Sequence, residues 1–435
     1  MRAETTHSPT ARNAPQAAVM NFLNEIAGRY PAAISLAAGR PNNRLFDRLK
    51  PEALLDAFHC YDAHTHGGTS LLQYGRTAGI INELVARQLS DDDGVPADAS
   101  RLLITAGCQE ALYLCLPELC PLPTDTLLVC NPTYIGGIGA AQAAGVHIAA
   151  LPDVGGGQLP EAIERVATQL KREGCCARAL YIIPDFDNPT GRILDRLQRC
   201  AILEVCTKHR IVVLEDNPYG MFRYEGDAVP TMAALDSGGC VIYLSTYSKT
   251  LSPALRVGAA CLPTALFGDE AMRDALWNRL IERKSFVTVN TSQINQSIIG
   301  GILLQQSCSL REWVRPVLEA YRANRDAMLD ELQRVFPHGG IDVRWNRPSG
   351  GFFLSLDLPF RFDADAVTEC AERYGVIVMP MSFFALDDSQ DRRVRLAFSA
   401  VEPAQIRVGI SNLGRFVRER LRGHTRREEQ EIIDS

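Results

Sequence analysis

Lys249 stands in the segment Leu244-Ser-Thr-Tyr-Ser-Lys249-Thr-Leu-Ser-Pro-Ala-Leu-Arg256-Val-Gly258, directly after the apolar run Val241-Ile-Tyr-Leu. Such a run reads as a buried strand, and a lysine just past its end is costly to desolvate in its charged form. Its pKa should fall toward neutrality, and the nearby Arg256 should depress it further. A neutral amine is the form that Schiff-base chemistry needs. The hydroxyls of Thr246 and Ser248, with the Arg256 guanidinium, suit a phosphate. A lysine amine beside a phosphate site points to pyridoxal 5'-phosphate (PLP), whose aldehyde and phosphate need those two partners.

Something must position these groups. The middle of the chain carries seven short apolar runs: Leu102–Ile104, Thr126–Cys130, His147–Leu151, Ala179–Ile183, Ile211–Glu215, Val241–Ser245 and Val257–Cys261. Runs of this kind read as strands covered on both faces. Helical patterns between several of them, such as Gln109–Leu116 and Leu194–Glu204, predict an α/β fold. Its core is a mostly parallel seven-stranded sheet with helices on both faces. Polar clusters follow five of the runs: Thr105-Ala-Gly-Cys-Gln109, Asn131-Pro-Thr-Tyr134, Pro184-Asp-Phe-Asp-Asn-Pro-Thr-Gly191, Asp216-Asn-Pro-Tyr-Gly220 and Thr246-Tyr-Ser-Lys249. Ligands bind at the carboxyl ends of strands in such sheets, so the five clusters should converge on one crevice.

The pattern changes near residue 310. A long helix over Trp313–Val335, the run Gly350–Asp357, a helix near 364–374, the run Val376–Met379 and the alternating Arg393–Ser399 predict a smaller α+β domain. Alternation puts Arg393 and Arg395 on one strand face. The organisation expected is a disordered segment over 1–15, a segment over 16–49 that joins the small domain, a large domain over 50–308, the small domain over 309–422 and a flexible tail over 423–435.

Bulk properties exclude several classes. The chain has 435 residues and a formal net charge of −6, with no basic excess to neutralise nucleic-acid phosphates. No stretch approaches the roughly 18 uncharged apolar residues of a membrane span. The N-terminus lacks an apolar signal core, which predicts a cytoplasmic protein. The cysteine count of 13 is odd and the thiols lie in apolar contexts, as buried reduced cysteines do. Cys60, His64 and His66 read as a plain loop rather than as metal ligands, and no metal is expected.

Ser248-Lys249-Thr250-Leu251 with Arg256, Asn188-Pro-Thr-Gly191, Asp216 with Tyr219, and Arg395-Leu-Ala-Phe-Ser399 occur in this order and at these separations. Together, over about residues 20 to 420, they resemble the class I/II aminotransferases of PLP fold type I, and among them the 2-aminoadipate-type branch. The resemblance implies that Lys249 forms the Schiff base with PLP and carries the Cα proton as general acid and base, with a quinonoid intermediate on the path. It implies that Asp216 pairs with the pyridine nitrogen, that Asn188 and Tyr219 bond the ring phenolate, and that Tyr134 stacks on the ring. Phosphate binding would come from Gly107, Cys108 and Gln109 at a helix start, with Thr246, Ser248 and Arg256. Tyr74 matches a tyrosine that reaches the neighbouring subunit's phosphate, which implies a homodimer with shared sites. Arg395 would clamp the substrate α-carboxylate, Gly39 would let the backbone approach it, and Arg40 would read a distal anionic group on an amino-acid or oxo-acid substrate.

Three positions depart from the family pattern: Cys108 and Thr246 stand where serines are common, and Ala254 where glycine is. The cofactor stabilises the same carbanion whether it is reprotonated, loses a leaving group or attacks a carbon electrophile. Transamination is therefore the leading reading, and a PLP-dependent lyase, replacement or carbon–carbon bond-forming enzyme of specialised metabolism is the alternative. A transcription regulator with an aminotransferase-like effector domain would need a DNA-binding module of about 60 residues, more than lie before Ile34.

Overall fold

The computed structural model describes residues 22, 25–68 and 71–433, with side chains described as far as residue 422. Residues 1–15, read above as disordered, lie outside the described residues. Of the strands, β1 (Ile34–Ser35) belongs to the N-terminal segment. The next seven are β2 (Leu102–Thr105), β3 (Asp125–Cys130), β4 (His147–Leu151), β5 (Cys176–Ile182), β6 (Val212–Asp216), β7 (Val241–Thr246) and β8 (Gly258–Cys261). They coincide with the seven apolar runs and form one sheet in the order β2-β8-β7-β6-β5-β3-β4. All neighbours are parallel except β8, which is antiparallel to both β2 and β7. The carboxyl ends of β2, β3, β5, β6 and β7 therefore lie along one edge of the sheet.

β2, β3, β6 and β8 are buried along their whole length, although β2 is an edge strand. β4, at the other edge, is not: His147 to Ala150 keep some exposure. The expectation that all seven runs are covered on both faces is corrected there. Apolar composition alone does not tell whether the faces of an edge strand are covered. The flanking helices show the one-sided pattern that sheet packing demands. In the helix Leu159–Arg172, Leu159, Ala162, Ile163 and Ala167 are buried, and Glu161, Lys171 and Arg172 sit near its ends. The helix Arg196–His209 starts at a capping box in which Asp195 and Gln198 satisfy each other's backbone N–H groups.

The C-terminal third builds a second core. β9 (Arg344–Trp345), β10 (Phe353–Asp357), β12 (Met379–Pro380) and β13 (Arg393–Ala397) form an antiparallel sheet in the order β12-β13-β10-β9. β11 (Val376–Ile377) instead pairs in parallel with β1. The run Val376–Met379 thus serves two sheets, with Val378 between them. The helix Arg311–Val335 joins the two cores. Trp313, Val314, Val317 and Tyr321 pack with the large sheet, and Met328, Leu329, Leu332 and Val335 with the small one. At 1.5 Å per residue its 25 residues run about 37 Å, enough to lie along both cores.

The last helix, Pro403–Ile433, packs Ile406, Ile410, Leu413, Phe416 and Val417 into the second core. It continues past residue 422, where a flexible tail was expected to begin. The Arg, Glu and Gln residues there are good helix formers, and a charged run is no barrier to a helix already nucleated by its buried part. Cys60, His64 and His66 lie on the helix Pro51–His66 and not in a loop. Among the described residues no helix is long and apolar enough to cross a membrane.

Candidate active site

The five polar clusters meet in one cavity at the carboxyl edge of the large sheet. Its wall includes Cys108 and Gln109 after β2, Tyr134 after β3, Asn188 after β5, Asp216 and Tyr219 from β6 and the turn beyond it, Thr246 at the end of β7, and Ser248 and Lys249 after it. The N-terminal segment adds Gly39 and Arg40, and the small sheet adds Arg395. The cavity holds about 350 Å³, within the roughly 300–1,000 Å³ of small-ligand pockets.

Lys249 follows β7 and donates from Nζ to the Gly39 carbonyl at 3.2 Å. Burial lowers its pKa to about 8, helped by Arg395 and Arg256 and opposed by Asp216. Asp216 ends β6 and is fully enclosed. The Tyr181 hydroxyl donates to its Oδ2 at 2.7 Å and the Cys108 thiol to its Oδ1 at 3.2 Å. Burial raises the Asp216 acid to about 6, with the two hydrogen bonds and Lys249 pulling it back. Tyr134 flanks the same space, its phenol pushed up to about 12 by burial and by Asp216.

The second region is a cluster of anion donors. Gly107 is the N-cap of the helix Cys108–Leu119, with φ +79°. A Cβ there would come within 2.6 Å of Arg256 Nη2, so the glycine makes room for the guanidinium. Arg256 Nη1 donates to Ser248 Oγ at 3.1 Å, and the Thr246 hydroxyl donates to the same oxygen at 3.1 Å. Arg256 itself has φ +49°, a left-handed conformation that costs a side-chain-bearing residue about 1 kcal/mol. The N–H groups of a helix start, two hydroxyls and a guanidinium are a donor set that suits a phosphate.

The third region is built on Arg395, on β13. It is buried, and Nη1 donates to Asn188 Oδ1 at 2.7 Å while Nη2 donates to the Ala37 carbonyl. The guanidinium lies 4.2 Å from the Phe353 ring centroid and 4.7 Å from that of Phe384. Burial lowers its pKa to about 10, so it stays charged at neutral pH. Its Nε has no hydrogen-bond partner. Among the described residues no carboxylate forms an ion pair with it. A buried cation without a counter-ion is costly, and an anionic ligand is the usual remedy. Asn188 turns its Nδ2 toward Tyr219 Oη, 3.5 Å away, which links the Arg395 region to the Asp216 region.

Sequence-predicted residues fall in two groups. Lys249, Asp216, Tyr134, Asn188, Tyr219, Thr246, Ser248, Arg256, Cys108, Gln109, Gly39, Arg40 and Arg395 all line the cavity. Gly107 stands behind the wall. Tyr74 is not on it: its side chain is 77% exposed on the molecular surface. Gln109 turns its amide away to donate to the Gly136 carbonyl at 2.7 Å, leaving only its backbone for a phosphate. The Cys108 thiol likewise faces Asp216 rather than the anion donors. Packing also keeps Gly39 small: a Cβ there would lie 2.3 Å from Phe353 Cζ.

Sequence reasoning missed Tyr181, Phe353 and Phe384. A signal for Tyr181 was present, since the hydroxyl is the one polar side-chain group in the run Ala179–Ile183 and a buried tyrosine hydroxyl needs a partner. These residues fit PLP: an amine of lowered pKa, a buried carboxylate, a phosphate site and an unpaired guanidinium share one cavity.

The family model for aminotransferases of class I and II matches residues 33–413. The (S)-3,5-dihydroxyphenylglycine transaminase of Amycolatopsis orientalis is 35% identical over 415 residues, covering 94% of this chain and 93% of the relative. The 2-aminoadipate transaminase of Thermus thermophilus is 31% identical over 406 residues, covering 92% and 94%. The crystal structure of Pyrococcus horikoshii kynurenine aminotransferase superposes with a TM-score of 0.80 at 28% identity, covering 95% of this chain and 97% of that one.

Proposed function

The chain belongs to the aminotransferase class I and II family, and from that membership we propose how its residues divide the work. It is a PLP-dependent enzyme that moves an amino group between an α-amino acid and a 2-oxo acid. When bound, PLP supplies an electron-withdrawing ring that stabilises negative charge at the substrate Cα. Lys249 would hold the cofactor through Nζ, and the same nitrogen would carry the substrate Cα proton. At its ordinary pKa about one amine in three thousand would be neutral at pH 7, whereas at about 8 it is roughly one in ten. Asp216 would pair with the ring nitrogen and keep it protonated. Asn188 and Tyr219 would donate to the ring oxygen, and Tyr134 would cover the ring face. The backbone of Cys108 and Gln109, with Thr246, Ser248 and Arg256, would hold the phosphate, and Gly107 would keep the approach open. Arg395 binds the substrate carboxylate, which supplies its missing counter-ion.

The Lys249 amine carries this reading: it is partly buried, it faces Asp216 and two guanidiniums, and its hydrogen bond to the Gly39 carbonyl can be exchanged. An amino-acid panel monitored by the visible absorbance of the cofactor tests it. Wild type should pass to the amino form of the cofactor and release 2-oxo acid, and Lys249→Ala should do neither. A Lys249→Ala protein that turned over normally would sink the assignment.

The lining also carries the apolar Leu112, Ile135, Ile377, Met379 and Phe384, which suit aromatic or long aliphatic side chains. Arg40 lies exposed at the mouth, where it reads a distal anionic group. An apolar lining with a cation at the mouth suits both an arylglycine and 2-aminoadipate, the substrates for which the two relatives are named. The active unit we propose is a homodimer. Leu72, Tyr74 and Phe286 are 89%, 77% and 84% exposed. A second copy would cover them and receive Tyr74 at its phosphate site. Sedimentation at micromolar concentration tests this, and a monomer with full activity would refute it. A cytoplasmic location fits such an enzyme and its reduced thiols.

A further inference from the structure

We propose that Tyr181 is a positioning residue for Asp216. Its hydroxyl and the Cys108 thiol hold the carboxylate from two sides, so that an ionised Asp216 faces the ring nitrogen of the cofactor. The proposal rests on the assignment of Asp216 made above.

The geometry is specific. Tyr181 sits on β5 and Asp216 at the end of the adjacent β6. Tyr181 is 1% exposed, and its hydroxyl bond to Oδ2, at 2.7 Å, is the shorter of the two. The thiol bond to Oδ1 is 3.2 Å. Each carboxylate oxygen thus has one donor within the protein and keeps further acceptor capacity for a third.

The chain makes room for this arrangement at some cost. The helix Ile135–Ala143 begins Ile-Gly-Gly-Ile-Gly, and each helical glycine is about 1 kcal/mol worse than alanine. A Cβ on Gly136 would lie 2.3 Å from Tyr134 Cε1, and a Cβ on Gly137 would lie 2.8 Å from Tyr181 Cε1. Two successive glycines therefore seat two tyrosines, one on the cofactor's face and one against Asp216. The electrostatics agree: burial alone drives Asp216 toward its neutral acid, and the two donors and Lys249 oppose that. With the acid at about 6, removing a donor moves its titration into the neutral range.

The test uses Tyr181→Phe, Gly137→Ala and Asp216→Asn. Binding of pyridoxamine phosphate to the apoprotein is followed by fluorescence, since it needs no bond to Lys249. Tyr181→Phe should weaken it about tenfold or more, and the acid limb of the kcat/KM profile should move up by about one pH unit. Gly137→Ala keeps the hydroxyl but displaces the ring, so it should move the acid limb the same way. It also provides the test if Tyr181→Phe fails to fold. The proposal is overturned if the folded variants bind pyridoxamine phosphate within twofold of wild type with an unmoved acid limb. Asp216→Asn separates the two levels. If it is inactive while Tyr181→Phe behaves as wild type, the positioning role alone falls. If Asp216→Asn itself keeps wild-type turnover, the assignment of Asp216 falls and the positioning role falls with it.

Discussion

The Arg395 guanidinium and the Asn188 side chain form one unit: Nη1 donates to Oδ1 at 2.7 Å, which fixes the amide so that its Nδ2 faces Tyr219. The residue proposed for the substrate carboxylate thereby orients a residue proposed for the cofactor ring. Asn188→Ala should therefore disturb both ends. We expect KM for every amino acid to rise about tenfold and the absorbance pKa of the bound cofactor to move as well, each by the value of one charge-assisted hydrogen bond. Arg395→Lys, which loses the planar fork, should lower kcat/KM by about 100-fold. A change in KM with an unmoved cofactor spectrum in Asn188→Ala would show that the two ends are independent.

Gly39→Ala should be damaging although only one methyl is added. The new Cβ would meet Phe353 Cζ at 2.3 Å and Cε1 at 2.4 Å. That ring is 1% exposed and packs 4.2 Å from Arg395 and edge-on to Tyr219, so it has little freedom to retreat. Overpacking of this kind costs about 1–3 kcal/mol. Chemical denaturation should show that loss, and a raised KM should accompany it because the ring supports Arg395. A Gly39→Ala enzyme with wild-type stability would mean that the ring has space to move.

The sheet was legible because seven runs of nearly unbroken apolar residues, each ended by polar or turn-forming residues, leave few other readings. The convergence of Asn188, Asp216, Tyr219, Thr246, Ser248 and Lys249 followed from the rule that parallel strands gather their carboxyl ends. What stayed hidden depends on neighbours distant in sequence. Tyr181 matters because β5 lies beside β6, and strand order is not written in either strand. Phe353, on β10, and Phe384, in the turn Met381–Phe384 after β12, matter because the small domain brings both rings against Arg395. Cys108 was read as a stand-in for a phosphate-binding serine, yet its thiol bonds Asp216. Residue type alone does not set that direction. Arg393 shares a face with Arg395 as alternation required, but it pairs with Asp153 and Asp357 outside the site.

Arg40 gives a prediction about choice of substrate. It stands at the cavity mouth, exposed, with its carbonyl held by Ser399 at 2.6 Å, so the backbone is fixed while the side chain is free to reach. Exposed ion pairs are worth about 1 kcal/mol or less, so Arg40→Ala should raise KM for acidic amino acids by about three- to fivefold. KM for aromatic ones should not change. The effect should fade as salt is raised. An equal rise for neutral and acidic substrates would remove Arg40 from substrate reading.

Lys249 gives a prediction about stability and pH in the apoprotein. Its pKa falls from 10.5 to about 8 on folding, chiefly through burial, with Arg395 second. Between these values the unfolded chain binds more protons than the folded one, so stability rises with pH across that window. Below about pH 8 the folded protein bears the whole cost of enclosing an ammonium group, and above about 10.5 it bears none. Lys249→Met keeps the bulk and removes the charge. At pH 7 the variant apoprotein should be more stable than wild type, by at most roughly 3 kcal/mol. The difference should shrink steadily from pH 8 upward. Denaturant titrations of both apoproteins at several pH values measure it. A wild type as stable as Lys249→Met at pH 7 would mean that the amine is solvated and ordinary. The proposed function depends on the opposite: the stability lost by burying this group keeps part of it neutral and able to react.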